Sequence, residues 1–288
     1  MVVKEGDNME LTLSEKLTYS TIRLTCKNNS GLMSIGTAFV MSFCFRENRN
    51  VPVLITNRHV VENCDIFEFE FCTAKEDGSP DDLKTKSITL KNVNWINHPN
   101  KAIDLCCLPI APILKEATDE KIRLFYIPLG IDSLPSTEII SKFSASEEVV
   151  MIGYPIGIYD TYNHKPIIRR GITATHIKKK YCGKNEFLVD MACFPGSSGS
   201  PICILNEGSY VFENNVCVGT RFFLAGILYA GPQYDAEGNV KFSEVPTIKT
   251  STSIPTNLGL VIRSDELLEF ERLFSNLLSL TESKDKIK

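Results

Sequence analysis

The sequence predicts an all-β protein closed by a C-terminal helix, on three observations. Apolar and polar residues alternate cleanly in Ile66–Phe71, where Phe67, Phe69 and Phe71 share one face and Glu68 and Glu70 the other; this is the period of a half-buried strand. Similar short apolar runs recur along the chain with turn residues between them, which suits a sandwich or barrel. Near the C-terminus the period changes, and Leu267, Phe270, Leu273, Phe274, Leu277 and Leu278 form a helical stripe.

Taken in order, Thr21–Cys26 alternates through Ile22, Leu24 and Cys26. Further strands are expected at 36–43, 52–56, 66–71, 87–90 and 104–109. The stretch Pro128–Ser136 is rich in turn residues and opens a boundary over 128–147. A second set of strands follows at 149–153, 167–174, 186–191, 201–205, 222–229 and 258–262, with a loop over 231–257 expected to include a hairpin. The organisation is therefore a β domain over 14–127, a linker over 128–147, a second β domain over 148–262 and a helix over 263–281. Ser264 is expected to cap that helix, with Asp265 and Glu266 in its first turn. Its stripe packs on the second β domain or docks a partner.

Composition excludes several functions. A chain of 288 residues can bury about three quarters of its unfolded surface. A net charge of −4 gives no case for nucleic-acid binding, and Lys178–Lys180 reads as a solvated turn rather than a basic patch. Met1–Lys16 is polar, without the apolar core of a signal peptide, and no run reaches membrane-spanning length. Six of the ten cysteines (Cys26, Cys44, Cys106, Cys107, Cys203 and Cys217) lie in apolar strand-like runs, where a free thiol acts as a small hydrophobe. A reduced, cytoplasmic protein is expected. There is no Cys-x-x-Cys and no nearby histidine pair, so neither metal nor other cofactor is expected.

The chemistry centres on Phe194-Pro195-Gly196-Ser197-Ser198-Gly199-Ser200-Pro201. Small residues let a serine oxygen stand clear of its backbone and let N–H groups converge where an oxyanion could sit. Upstream, the apolar run Val53–Ile55 leads into Thr56-Asn57-Arg58-His59, and Asp104 enters an apolar run. A carboxylate in such a place needs a partner. The order His59, Asp104, Ser198 is one of three in which a histidine, an acid and a serine recur as a hydrolytic triad. Ser197 and Ser200 compete for the nucleophile, and Asp65 and Asp132 for the acid. Both acids fit poorly, one lying only a few residues past His59 and the other in the linker.

These motifs together resemble the trypsin-like serine proteases of chymotrypsin fold, on their Deg (high-temperature-requirement) side, a branch with stand-alone bacterial members. Gly36–Val40, Thr56–Val61, Ile152–Gly157 with Gly171-Ile172, and Asp190–Gly199 each resemble a motif of that family, in order, and the similarity covers about 33–262. The resemblance implies two six-stranded antiparallel β-barrels. It implies peptide-bond hydrolysis by Ser198, His59 and Asp104 through an acyl-enzyme, with the N–H groups of Gly196 and Ser198 as oxyanion hole. It places Ala192, Cys193, Tyr229, Ala230 and Gly231 around the specificity pocket. Ala192 stands where trypsins carry an acid, so uncharged residues of modest size are expected before the cut. Asp190, two residues back on one strand face, would instead favour Lys or Arg if it reached the pocket. Ser197 stands where the digestive enzymes carry the acid that receives a freed N-terminus, so activation by a partner or by ordering of loops 153–166 and 231–257 is expected. The expected partners are a protein or peptide substrate and an activating protein, with no nucleic acid and no membrane. A protease-fold binding module without activity and an esterase with the same triad are the alternatives.

Overall fold

A computed structural model of the chain describes residues 11–46, 49–242 and 245–285. Its first half contains β1 (Thr21–Lys27), β2 (Met33–Arg46), β3 (Arg49–Thr56), β4 (Ile66–Ala74), β5 (Pro80–Lys91), β6 (Ile96–Asn97), β7 (Cys106–Pro109), β8 (Leu124–Phe125) and β9 (Leu129–Gly130). The second half contains β10 (Glu148–Gly153), β11 (Ile167–Thr173), β12 (Glu186–Asp190), β13 (Pro201–Asn206), β14 (Ser209–Phe212), β15 (Asn215–Val218), β16 (Arg221–Ala230), β17 (Gln233–Phe242), β18 (Val245–Pro255) and β19 (Leu258–Arg263).

The second half is a closed six-stranded barrel in the order β10-β11-β12-β19-β16-β13, with β14–β15 and β17–β18 as hairpins outside it. Every pairing around the barrel is antiparallel. The first half differs from the expected second barrel. It is a nine-stranded sheet in the order β5-β4-β1-β2-β3-β7-β6, with β8 on β4 and β9 parallel to β2, and among the described residues this path does not close. One end of the path is the two-residue β6, which offers too few backbone groups to complete a ring.

Strand β2 positions the rest because both of its faces are buried. Ala38 and Val40 turn into a cluster with Leu24, Leu54, Phe67 and Phe69. The alternate residues Phe39, Met41 and Phe43 turn into a second cluster that spans both halves, with Ile152, Ile227 and Ile262 of the barrel. The predicted alternation of β4 holds, with Phe67, Phe69 and Phe71 all buried.

Helices account for most differences from the sequence reading. Besides the C-terminal helix there are α1 (Leu13–Ser20), α2 (Arg58–Val61), α3 (Ala111–Asp119) and α4 (Thr137–Lys142). Each is too short to show a periodic stripe, although α1 carries a capping box through Thr12 and Glu15. The stretch 128–147 thus holds β9, one 3₁₀ turn and α4 rather than turns alone. Asp104 lies two residues before β7 rather than in the strand. At the C-terminus, Ser264–Leu267 form a 3₁₀ turn whose N-cap is Arg263, so Ser264 is a buried turn residue and not the cap. The helix α5 (Leu268–Asp285) follows. Its stripe does not pack on the barrel alone: Phe270 and Phe274 lie 6.3 and 5.7 Å from the Phe43 ring of β2, closing the seam between the halves. Among the described residues the cysteines form no disulfide, and no helix is long and apolar enough to cross a membrane.

Phe270 is fully buried and meets His98 edge-on at 5.4 Å. Phe270→Ala is expected to lower stability by about 3–5 kcal/mol, the range for emptying an aromatic site in a core. Urea unfolding of the two proteins at equal m-value checks this.

Candidate active site

His59 is delivered by β3. Val53, Leu54 and Ile55 are fully buried, and the chain then turns at the buried Thr56 and Asn57 into the single-turn helix α2. Val60 of that turn packs so closely on Gly36 that a Cβ there would lie 2.4 Å from a valine methyl. Asp104 follows a turn in which the Ala102 N–H donates to the Asn100 side chain at 3.0 Å and the Ile103 N–H to the Asn100 carbonyl at 3.0 Å. The Asn57 side-chain amide donates to the Asp104 carbonyl at 2.9 Å, tying the two segments together.

Asp104 grips His59 twice. The His59 backbone N–H donates to Oδ1 at 3.0 Å, and the ring Nδ1 lies 2.5 Å from Oδ2. A carboxylate only accepts, so in the neutral imidazole this contact selects the tautomer with its proton on Nδ1 and the lone pair on Nε2. The imidazole is 45% exposed and the carboxylate 19%, so one end of the pair faces solvent while the other is sheltered.

The serine turn is held from several directions. Gly199 N–H donates to Leu228 O at 2.8 Å, and Thr37 N–H to Ser198 O at 2.8 Å. Thr37 Oγ1 donates to Gly196 O at 2.9 Å. Gly199 has φ +87°, and a Cβ there would lie 1.9 Å from Thr37 O, so only glycine fits. Ser197 and Ser200 are fully buried, whereas Ser198 keeps partial exposure. Ser198 Oγ donates to Tyr229 O at 3.3 Å, and among the described residues no hydrogen bond joins it to His59.

The Ile156 N–H donates to Pro195 O at 2.6 Å. The Pro195–Gly196 peptide is trans, so its N–H points opposite to its carbonyl and away from Ile156. Among the described residues neither the Gly196 nor the Ser198 N–H has an acceptor.

A cavity of about 120 Å³ adjoins Ser198. Of the residues expected around a specificity pocket, Cys193, Ala230 and Gly231 line it, and Ala192 and Tyr229 do not. The Ala192 carbonyl accepts from the Arg169 guanidinium at 3.0 Å, and the Tyr229 hydroxyl turns away to donate to Glu186 at 2.9 Å. Asp190 is exposed at the end of β12 and does not line the cavity, and among the described residues no acid does. Gln233 and Pro255, at the base of the β17–β18 hairpin, complete the wall and went unrecognised in the sequence. Gly231-Pro232 marked a turn, but nothing local signalled that the strands beyond it return to the site. Among the described residues no group of three or more His, Cys, Asp or Glu side chains could hold a metal ion.

Comparison with known proteins adds the following. A family model for the trypsin-like peptidase domain matches residues 36–211, a span containing His59, Asp104 and Ser198. No curated protein matches. Among solved structures, an HtrA-type protease, AlgW with tripeptide, is 18% identical, with 88% of this chain and 59% of that chain covered and a TM-score of 0.48. Deg5 is 13% identical over 77% of this chain and 88% of that chain, with a TM-score of 0.43. The thermostable serine protease AL20 from an extremophilic microorganism is 10% identical over 89% and 97%, with a TM-score of 0.43. The chain spans about three fifths of the length of AlgW.

Burial pushes the Cys193 thiol up to about 11, with the Arg169 cation opposing in part. A raised pKa keeps it protonated below that pH, with only about one thiolate in a thousand at pH 8. Iodoacetamide at pH 8 is expected to label the exposed Cys182 and leave Cys193, with labelling at Cys193 rising toward pH 11. Peptide mass spectrometry across that pH range checks this.

Proposed function

The chain belongs to the trypsin-like peptidase family, and on that premise we propose that it is a serine endopeptidase working through Ser198, His59 and Asp104. The observation that carries the reading is the double grip of Asp104 on His59, which leaves Nε2 free to accept a proton. Ser198 Oγ attacks the peptide carbonyl and His59 Nε2 takes its proton. Asp104 stabilises the imidazolium. The Gly196 and Ser198 N–H groups receive the oxyanion, each such donor contributing about 10²–10³ in rate. His59 returns the proton to the leaving amine, and water then releases the acyl group from Ser198 by the same steps.

The pocket and the architecture extend the proposal. A small cavity without an acid suits uncharged residues of modest size before the cut, and Asp190, outside the cavity, has no part in selection. We read the nine-stranded sheet as the partner of the closed barrel in a chymotrypsin-like pair, with residues 14–127 and 148–262 as the two domains. The free thiols fit a reducing, cytoplasmic setting. The substrate is a protein or peptide, and a partner protein that orders loops 153–166 and 231–257 controls activity. Supporting this control, Ile156 of the first loop holds Pro195, and Gln233 and Pro255 of the second line the cavity.

One observation favours a second reading, a latent or inactive binding module: Ser198 Oγ bonds Tyr229 O rather than His59. A fluorophosphonate probe separates the two. Intact mass is expected to show one adduct on the wild type and none on Ser198→Ala, whereas an unlabelled wild type would favour the binding module. Asp104→Asn is expected to lower kcat on a cleaved peptide by about 10⁴, because the asparagine holds the wrong tautomer; steady-state rates of the two proteins check this.

A further inference from the structure

Ile156 is a β-branched residue held in the left-handed region, at φ 52° and ψ 25°. Glycine is the default there, and for an isoleucine the conformation is a true outlier. Its side chain gains no burial in return, being 62% exposed. Such strain concentrates at functional sites. Here it sits against the serine turn: a Cβ on Gly196 would lie 3.0 Å from the Ile156 nitrogen and 3.2 Å from that of Gly157.

The serine turn has two flanks. On one, Leu228 of β16 holds Gly199, beside the cavity. On the other, Thr37 of β2 holds Ser198 and Gly196. The Tyr154–Gly157 turn belongs to the second flank: the Tyr154 N–H donates to Thr37 Oγ1 at 3.1 Å, and a Cβ on Gly157 would lie 3.1 Å from Ile35 Cδ1. Met33 shares the face of β2 with Ile35 and is 60% exposed, and Ile158 is 58% exposed. Ile156, Ile35, Met33 and Ile158 therefore present apolar surface on the flank held by Thr37, outside the cavity lining, with the Arg23 guanidinium beside Gly157.

We propose that Ile156, with Ile35 and Met33, contacts the residues that follow the scissile bond and makes an apolar side chain there a condition of efficient cleavage. The assignment rests on the endopeptidase reading. With the residue before the bond in the cavity, the leaving segment must pass the other flank of Ser198. Transfer of an apolar side chain from water onto Ile156 is favourable, and a polar one of equal size leaves its amide unpaired against that apolar surface.

The test uses the full chain and two internally quenched peptides. They share the residues before the bond, taken from a peptide-library profile, and carry Leu or the near-isosteric Asn immediately after it. The wild type is expected to cut the Leu peptide with a kcat/KM about 10-fold higher. In Ile156→Gly the ratio is expected to fall to within about 2-fold, and in Ile156→Leu to persist. A ratio is insensitive to general damage, since both substrates meet the same protein, and a thermal melt of Ile156→Gly at or above the wild type verifies folding. A wild type labelled at Ser198 that shows no preference or cuts neither peptide, or a ratio unchanged in Ile156→Gly, overturns the assignment alone. A wild type that neither takes the fluorophosphonate probe nor cuts either peptide overturns the endopeptidase reading with it.

Discussion

Thr37 uses every polar group it has at the junction of the two halves. Its N–H goes to Ser198 O and its hydroxyl to Gly196 O, while the same hydroxyl accepts from the Tyr154 N–H. Its carbonyl accepts from Thr56 Oγ1 at 2.7 Å, next to the turn that carries His59. One fully buried residue on β2 thus links the histidine strand, the serine turn and the Tyr154–Gly157 turn. The geometry tolerates little slack, because Gly199 approaches Thr37 O within the radius of a Cβ and Gly153 leaves room for Ser200 Oγ and Thr37 Oγ1. Each of these bonds is worth only about 0.5–1.5 kcal/mol net. Their importance is that the groups are buried, so a lost partner would leave an unsatisfied donor or acceptor at a cost of about 1–3 kcal/mol.

The apolar packing explains why that junction is stable enough to hold a site. The core cluster containing Phe39 and Phe43 continues through Ile152 and Ile227 of the barrel and ends under Phe270 and Phe274 of α5. Both halves and the C-terminal helix therefore share a single interior along β2. A shift of β2 would disturb this core and the Thr37 bonds together, and protein interiors resist such shifts because they are close-packed. The hydroxyl of the polar knot and the aromatic seam lie on the same face of this strand, Thr37 being two residues before Phe39, so one face carries both.

Much of this was legible because the informative signals are local. The run of apolar residues into Thr56–His59, the small-residue turn around Ser198 and the alternation of β4 each lie within a few neighbouring positions. Regularly spaced strands pointed to a sandwich or barrel, and the family resemblance implied the closed six-stranded barrel of the second half. What escaped depends on distance in sequence or on brevity. The four short helices span fewer turns than a periodic signal needs. The C-terminal stripe announced an apolar face but not that Phe43 of β2 would meet it. Of the five pocket residues the resemblance implies, Cys193, Ala230 and Gly231 line the cavity beside Ser198. Ala192 and Tyr229 lie outside that cavity, and their bonds to Arg169 and Glu186 depend on partners distant in sequence. The family pattern favours Ser198 over Ser197 and Ser200, and those two serines are also the fully buried ones.

The Pro195–Gly196 peptide is the point where the fold and the chemistry meet on the narrowest margin. A peptide plane in a small-residue turn can face either way, and under the proposed mechanism the direction of the Gly196 N–H decides whether an oxyanion finds a donor. The Ile156 N–H holds the carbonyl side of that plane, for about 0.5–1.5 kcal/mol net. The left-handed isoleucine that supplies the bond costs about 1–3 kcal/mol. Taken alone the two terms nearly cancel, so the orientation cannot rest on that bond by itself. The additional bonds of Thr37 to Gly196 O and to the Tyr154 N–H tip the balance, because they anchor both turns to β2 independently of Ile156. The donor geometry is thus set by the buried strand, and the strained turn is left free to present an apolar side chain to whatever crosses Ser198.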